Sequence, residues 1–204
     1  IDRGLVGSEM CIRDRTAVEA AVILHPEVIG RLEEIDKIEI TTHESAIRII
    51  SKEGDLNNPA DRDHCLQYMT AIGLLKGDLI AEDYEDAAAA DPRIDALREK
   101  MIIKEDKRYS AEYLEADKRS IANSVQVYFK DGSFTENIEV EYPIGHRRRR
   151  EEGIPILLSK FEKNLKTHFD ENQANKIIEI CSNEEALKNI SVVEFMSLMV
   201  SKIK

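Results

Sequence analysis

Between Asp36 and Thr42 apolar and polar positions alternate, Ile38 and Ile40 on one face and Lys37, Glu39 and Thr41 on the other. A period of two predicts a half-buried strand over 36–42. Val125, Val127 and Phe129 alternate in the same way, and Phe134, Ile138, Val140 and Tyr142 alternate back. Asp131-Gly132 between them predicts a hairpin over 124–142 closed by a type I′ turn. Met101–Lys104 makes a fourth, short strand.

Elsewhere the period lengthens to that of a helix. Ala17, Ala20, Ala21 and Leu24 predict the tail of a helix over 16–24, and residues 43–51 a short one ended by Gly54. An amphipathic helix from near Asp61 to Lys76 follows, with Tyr68, Ile72 and Leu75 on one side, Asp61 or Asp63 as its cap and Gly77 as its stop. Residues 81–86 form a short acidic helix, and Asp91-Pro92 opens another through Lys100. Three amphipathic helices close the chain. Their stripes are Ile154, Leu157, Leu158, Phe161 and Leu165; Ala174, Ile177, Ile178 and Cys181; and Val192, Met196, Met199 and Ile203. The whole predicts an α+β domain: a small, mostly antiparallel sheet of four strands packed with helices, with the C-terminal helices appended.

Composition narrows the function. With 42% hydrophobic and 34% charged residues the chain is an ordinary globular one. A net charge of -11 argues against sequence-independent nucleic-acid binding, which needs a basic footprint. No apolar run reaches the ~20 residues of a membrane span, so no membrane partner is expected and the cytoplasm is the expected compartment. Cys65 and Cys181 lie in different predicted helices and Cys11 near the start, without metal-ligand spacing, so no metal site is expected.

The densest chemistry follows Gly54. Asp55 to His64 holds amides, carboxylates, a guanidinium and an imidazole, with Leu56 its only large apolar residue. Such a loop between packed elements either solvates a turn or builds a site for a polar ligand. A second candidate is Tyr142-Pro143-Ile144-Gly145-His146, which leads into Arg147–Arg150 and a helix beginning near Gly153.

These stretches resemble a known family. Asn57-Asn58-Pro59-Ala60-Asp61-Arg62-Asp63-His64-Cys65-Leu66-Gln67-Tyr68-Met69, with Thr42-His43-Glu44, Asp83-Tyr84-Glu85-Asp86, Arg93–Lys100, Ile121-Ala122-Asn123 and Tyr142–His146, is similar to the MmgE/PrpD family. The resemblance runs from Thr16 nearly to the end and implies the C-terminal α+β domain (16–204) of a protein more than twice as long, its N-terminal helical domain missing here. Leu5–Arg15 resembles the translation of a transposase sequencing adapter, which makes 1–15 a non-native segment to be kept out of fold reasoning.

The resemblance also implies a reaction: loss of water from 2-methylcitrate, giving 2-methyl-cis-aconitate in propionate breakdown, without a cofactor. It implies a small tricarboxylate substrate and a homodimer. Such chemistry needs a base, an acid for the departing hydroxyl, and donors for the carboxylates. His64, oriented by Asp63, and His146 are then the catalytic candidates. Asn57, Asn58, Asp61, Arg62, Gly145 and Arg147 are the substrate-binding ones, Gly145 by admitting a close backbone approach. Read from the residues alone, Asp61 and Asp63 equally suit caps, His64 a first-turn position and the arginines a solvated turn. Two other functions fit: a related polycarboxylate lyase such as cis-aconitate decarboxylase, and a non-catalytic dimerisation module. The fragment alone is expected to be inactive.

Overall fold

The alternation around Ile38 and Ile40 becomes strand β1, Ile35–Thr42, whose inward residues Ile38, Ile40 and Thr42 are all buried. The computed structural model describes residues 12–200, so the adapter-like stretch through Cys11 and the stripe position Ile203 lie outside the described residues. Strands β2 (Met101–Glu105), β3 (Asn123–Phe129) and β4 (Ile138–Val140) complete a sheet of order β2-β1-β3-β4. β1 pairs with β2 in parallel, and β1–β3 and β3–β4 are antiparallel, so the sheet is mixed within an α+β fold.

The hairpin departs from the predicted type I′ turn. Gly132 has φ +85, but Asp131 is not left-handed. Its carboxylate instead accepts from the Ser133 amide at 2.8 Å, a side-chain turn that removes the need for two positive φ values. Tyr128 faces Phe134 and Val125 faces Ile138, a register slip of one residue, and Phe134 ends up exposed. Thr135, buried in the slip, donates its amide to the Val127 carbonyl at 2.9 Å and accepts from the Val127 amide through Oγ1 at 3.0 Å.

Helix α1 (Arg15–Val28) runs a turn beyond its predicted end, because Pro26 removes only one backbone bond close to the C-terminus. It packs on β3 and β4. α2 (Glu44–Ile50) follows β1. The single helix predicted from Asp61 is two: α3 (Pro59–Arg62) and α4 (Leu66–Lys76), broken at 63–65. Nor is α4 amphipathic. Every residue from Leu66 to Leu75 is buried, since α4 packs against α1 and against α6 (Pro92–Arg98). Gly73 permits the first contact: a Cβ there would stand 2.9 Å from Ala21 Cβ. Gly77, φ +69, ends the helix in the left-handed conformation.

The acidic segment is a 3₁₀ turn (Ala81–Tyr84) followed by α5 (Asp86–Ala89). Helix α7 (Lys107–Leu114) was not predicted, because only Tyr109 of its residues is buried and no stripe marks it. The chain divides into two units, through Pro143 and from Ile144 onward. The second holds α8 (Arg150–His168), α9 (Glu171–Ser182), α10 (Glu184–Asn189) and α11 (Val192–Leu198), one helix more than predicted, because Asn183 caps a new start at Glu184. Its core is Leu165, Ala174 and Ile177 with partly buried neighbours, while Val192 and Met196 of the last stripe are exposed.

Candidate functional site

The segment from Gly54 to Cys65 links α2 to α4 and is held from the protein side. Gly54 adopts φ +83, and its carbonyl accepts from Arg98 at 2.8 Å. Gln67, in the first turn of α4, donates to Ser51 Oγ at 3.0 Å and accepts from the Lys52 amide at 3.3 Å.

Asn58 caps α3: its Oδ1 accepts from the Asp61 amide at 2.9 Å. That corrects the expectation of an aspartate cap, and the reason is Pro59, which fills the first helical position and leaves Asn58 just outside it. The Asp61 carboxylate accepts in return from Asn58 Nδ2 at 2.9 Å and from the Asn57 amide at 3.3 Å. Asn57 and Asn58 are otherwise exposed.

Arg62 turns inward and is 6% exposed. It donates to the carbonyls of Tyr84 at 2.7 Å and Leu56 at 3.4 Å, and pairs with Asp86 at 2.7 Å. These acceptors tie the loop to the Tyr84–Asp86 corner.

Asp63 and His64 occupy the break between α3 and α4. The Asp63 carboxylate hydrogen-bonds His64 Nδ1. An ionised carboxylate can only accept, so Nδ1 carries the hydrogen and Nε2 of the neutral ring is the basic atom. The ring is partly exposed and its partner more enclosed.

Two further groups lie in the field of this pair: Asp14, inside the adapter-like stretch 1–15, and Tyr84. Asp14, at the start of α1, interacts electrostatically with Arg15, His64 and Asp63, and Tyr84 with Asp14, Arg15 and Asp63. Asp14 is 3% exposed and its Oδ1 has no hydrogen-bond partner among the described residues. Burial pushes its carboxyl up to about 6, against the pull of Arg15. Burial likewise raises the Tyr84 phenol above the ordinary tyrosine range.

His43, at the end of β1, is buried and structural in its contacts. Its Nδ1 accepts from the Ala46 amide at 3.3 Å and its ring stacks on Tyr113 at 4.4 Å. Burial, assisted by Arg13, pushes it down to about 4, so it is neutral at physiological pH.

Gly145, His146 and Arg147 belong to the second unit, the Asn57–His64 loop to the first. His146 Nδ1 accepts from the Arg148 amide at 3.2 Å and caps a 3₁₀ turn over Arg147–Arg149, after which α8 starts at Arg150 rather than near Gly153. Among the described residues nothing lies within 4 Å of a Cβ built at Gly145. The close approach is at Gly153, where the Ile144 carbonyl oxygen stands in the place of a Cβ. Among the described residues no three His, Cys, Asp or Glu side chains are grouped to hold a metal ion, and no helix is long and apolar enough to cross a membrane.

Comparison with known proteins agrees with the signature. The family profile described as MmgE/PrpD C-terminal domain matches residues 10–185. The chain is 51% identical over 191 residues to the mitochondrial 2-methylcitrate dehydratase of Yarrowia lipolytica, covering 92% of this chain and 36% of that protein. It is 50% identical over 189 residues to the 2-methylcitrate dehydratase of Escherichia coli K12, covering 91% and 39%. An alkylcitrate dehydratase of a fungal species is 37% identical over 193 residues, covering 92% and 37%. The chain thus spans well under half the length of each of these relatives.

Proposed function

Because the chain belongs to the MmgE/PrpD family, as its C-terminal domain, we propose that it forms one wall of the active site of a cofactor-independent 2-methylcitrate dehydratase. The observation that carries this reading is the Asp63–His64 pair set in a helix break. Asp63 fixes the tautomer, and His64 exchanges a proton through Nε2 with the carbon or hydroxyl of the substrate. The exposed Asn57 and Asn58 meet the carboxylates of a small tricarboxylate. Asp61 and Arg62 contribute by shaping the loop, since their polar groups are engaged with Asn57, Asn58, Leu56, Tyr84 and Asp86.

The relatives' greater length supports a helical domain that supplies the rest of the site. We assign the activity to that longer protein, as a cytoplasmic homodimer, and expect the 204-residue chain alone to be inactive. A second reading, a lyase acting on a related polycarboxylate, draws support from the relative named for alkylcitrates.

The test is to assay the full-length protein with 2-methylcitrate, citrate and cis-aconitate side by side. We expect 2-methylcitrate to be dehydrated fastest, and His64→Ala to lower kcat by about 10²–10⁴-fold. Decarboxylation of cis-aconitate as the main activity would select the second reading. Unchanged turnover in His64→Ala would remove the pair from the chemistry.

A further inference from the structure

We propose that Tyr68 is a positioning residue for the Asp63–His64 pair, acting through the backbone of the 3₁₀ turn Ala81–Tyr84. The proposal rests on the reading that places this pair in the active site. The pair lies in the break at 63–65, between α3 and α4. Its alignment therefore depends on how those two helices are fixed to each other.

Arg62 and Tyr68 flank the break, and both donate to the same turn. Arg62 gives a hydrogen bond to the Tyr84 carbonyl at 2.7 Å, and the Tyr68 hydroxyl gives one to the Asp83 carbonyl at 2.6 Å. Two consecutive carbonyls thus hold the end of α3 and the start of α4. The turn is itself well anchored. Asp83 is 3% exposed; its carboxylate accepts from the Ile80 amide at 2.9 Å and pairs with Lys76 in the last turn of α4. α4 therefore holds Asp83 from its first turn, through Tyr68, and from its last, through Lys76.

Tyr68 is buried, and burial pushes its phenol up to about 12, so the hydroxyl keeps its proton and serves as a donor. Its ring packs beside Tyr84, with centroids 6.5 Å apart. Any acceptor would satisfy a core tyrosine. This one sits next to the acceptor of Arg62, which turns a packing contact into a fixed span across the break. Without the bond the turn stays on α3 through Arg62, the start of α4 shifts against it, and the Asp63 carboxylate loses its alignment with the His64 ring. Gln67 still closes the loop on Ser51 and Lys52, so alignment is lost rather than fold.

The test is Tyr68→Phe, which deletes the hydroxyl and keeps the ring. Thr70→Val is the control: Thr70 is buried in the same helix, and its Oγ1 has no hydrogen-bond partner among the described residues. In the 204-residue chain, nitrogen NMR of the His64 ring, at a pH where it is neutral, reads the tautomer; His64→Ala identifies the signals. The unmodified chain should carry the hydrogen on Nδ1. Tyr68→Phe should mix the two tautomers, and Thr70→Val should not. In the full-length protein Tyr68→Phe should lower kcat about tenfold with KM within about threefold, the signature of lost alignment rather than lost binding. Circular dichroism checks that each variant is folded. A hydrogen on Nε2 in the unmodified chain overturns the inference, as does an unchanged tautomer in Tyr68→Phe or equal mixing in Thr70→Val. So does an unchanged kcat in Tyr68→Phe where His64→Ala is impaired. Unchanged turnover in His64→Ala defeats the reading of the active site instead, and the tautomers alone then decide whether Tyr68 positions the pair.

Discussion

At Asp14 a carboxyl is enclosed beside Arg15, with His64 and Asp63 in its field, and burial dominates. Its pKa is pushed up to about 6 from 3.8, so the folded chain holds the proton more tightly than the unfolded one. Stability from this group therefore falls as pH rises from about 4 to about 6 and stays reduced above. His43 works the other way. Pushed down to about 4 from 6.5, it contributes stability that is present above 6.5 and lost as pH falls through 4. The windows overlap, so the pH profile of the unmodified chain mixes both. Asp14→Asn separates them: it should gain up to about 3 kcal/mol at neutral pH and almost nothing below about pH 4. Urea titrations of both proteins at the two pH values read the difference, and an equal gain at both would refute the enclosure of a charge. The chemistry of the loop from Asn57 to His64 was legible at this scale because dense polar groups between apolar runs stand out. The inward turn of Arg62 was not, since its acceptors are backbone carbonyls at Tyr84 and Leu56, which any sequence would carry.

Helices α1 and α4 meet without a side chain at Gly73, whose missing Cβ would stand 2.9 Å from Ala21 Cβ and 3.3 Å from the Val18 carbonyl oxygen. Gly73→Val should cost about 3 kcal/mol, as overpacking at a close helix contact forces the backbones apart. Gly145→Ala, where a Cβ meets open space, should change stability by less than about 0.5 kcal/mol. Thermal melts of the two variants make the comparison, and equal melting temperatures would contradict the close packing. Periodicity located the strands because each has one buried and one open face. It misjudged α4, which is covered on all sides and so has no polar face to reveal its phase. It missed α7 for the opposite reason, as that helix buries almost nothing.

The molecule divides into a unit with an extensive core, from Ala17 to Phe129, and a C-terminal unit whose buried core is Leu165, Ala174 and Ile177. Residues 12–143 alone should melt cooperatively with native circular dichroism, and residues 144–204 alone should melt broadly, because so small a core scarcely offsets chain entropy. A sharp transition in the shorter piece would count against this division. By itself the sequence determined the fold class, the four strands, the family and the loop that concentrates polar groups, since these rest on period and local composition. Only the tertiary structure decided that Arg62 turns inward onto the Tyr84 carbonyl, that α4 is covered on all sides, and that β2 lies at the edge. Those facts are contacts between distant segments, and a linear pattern carries each partner without carrying the distance between them.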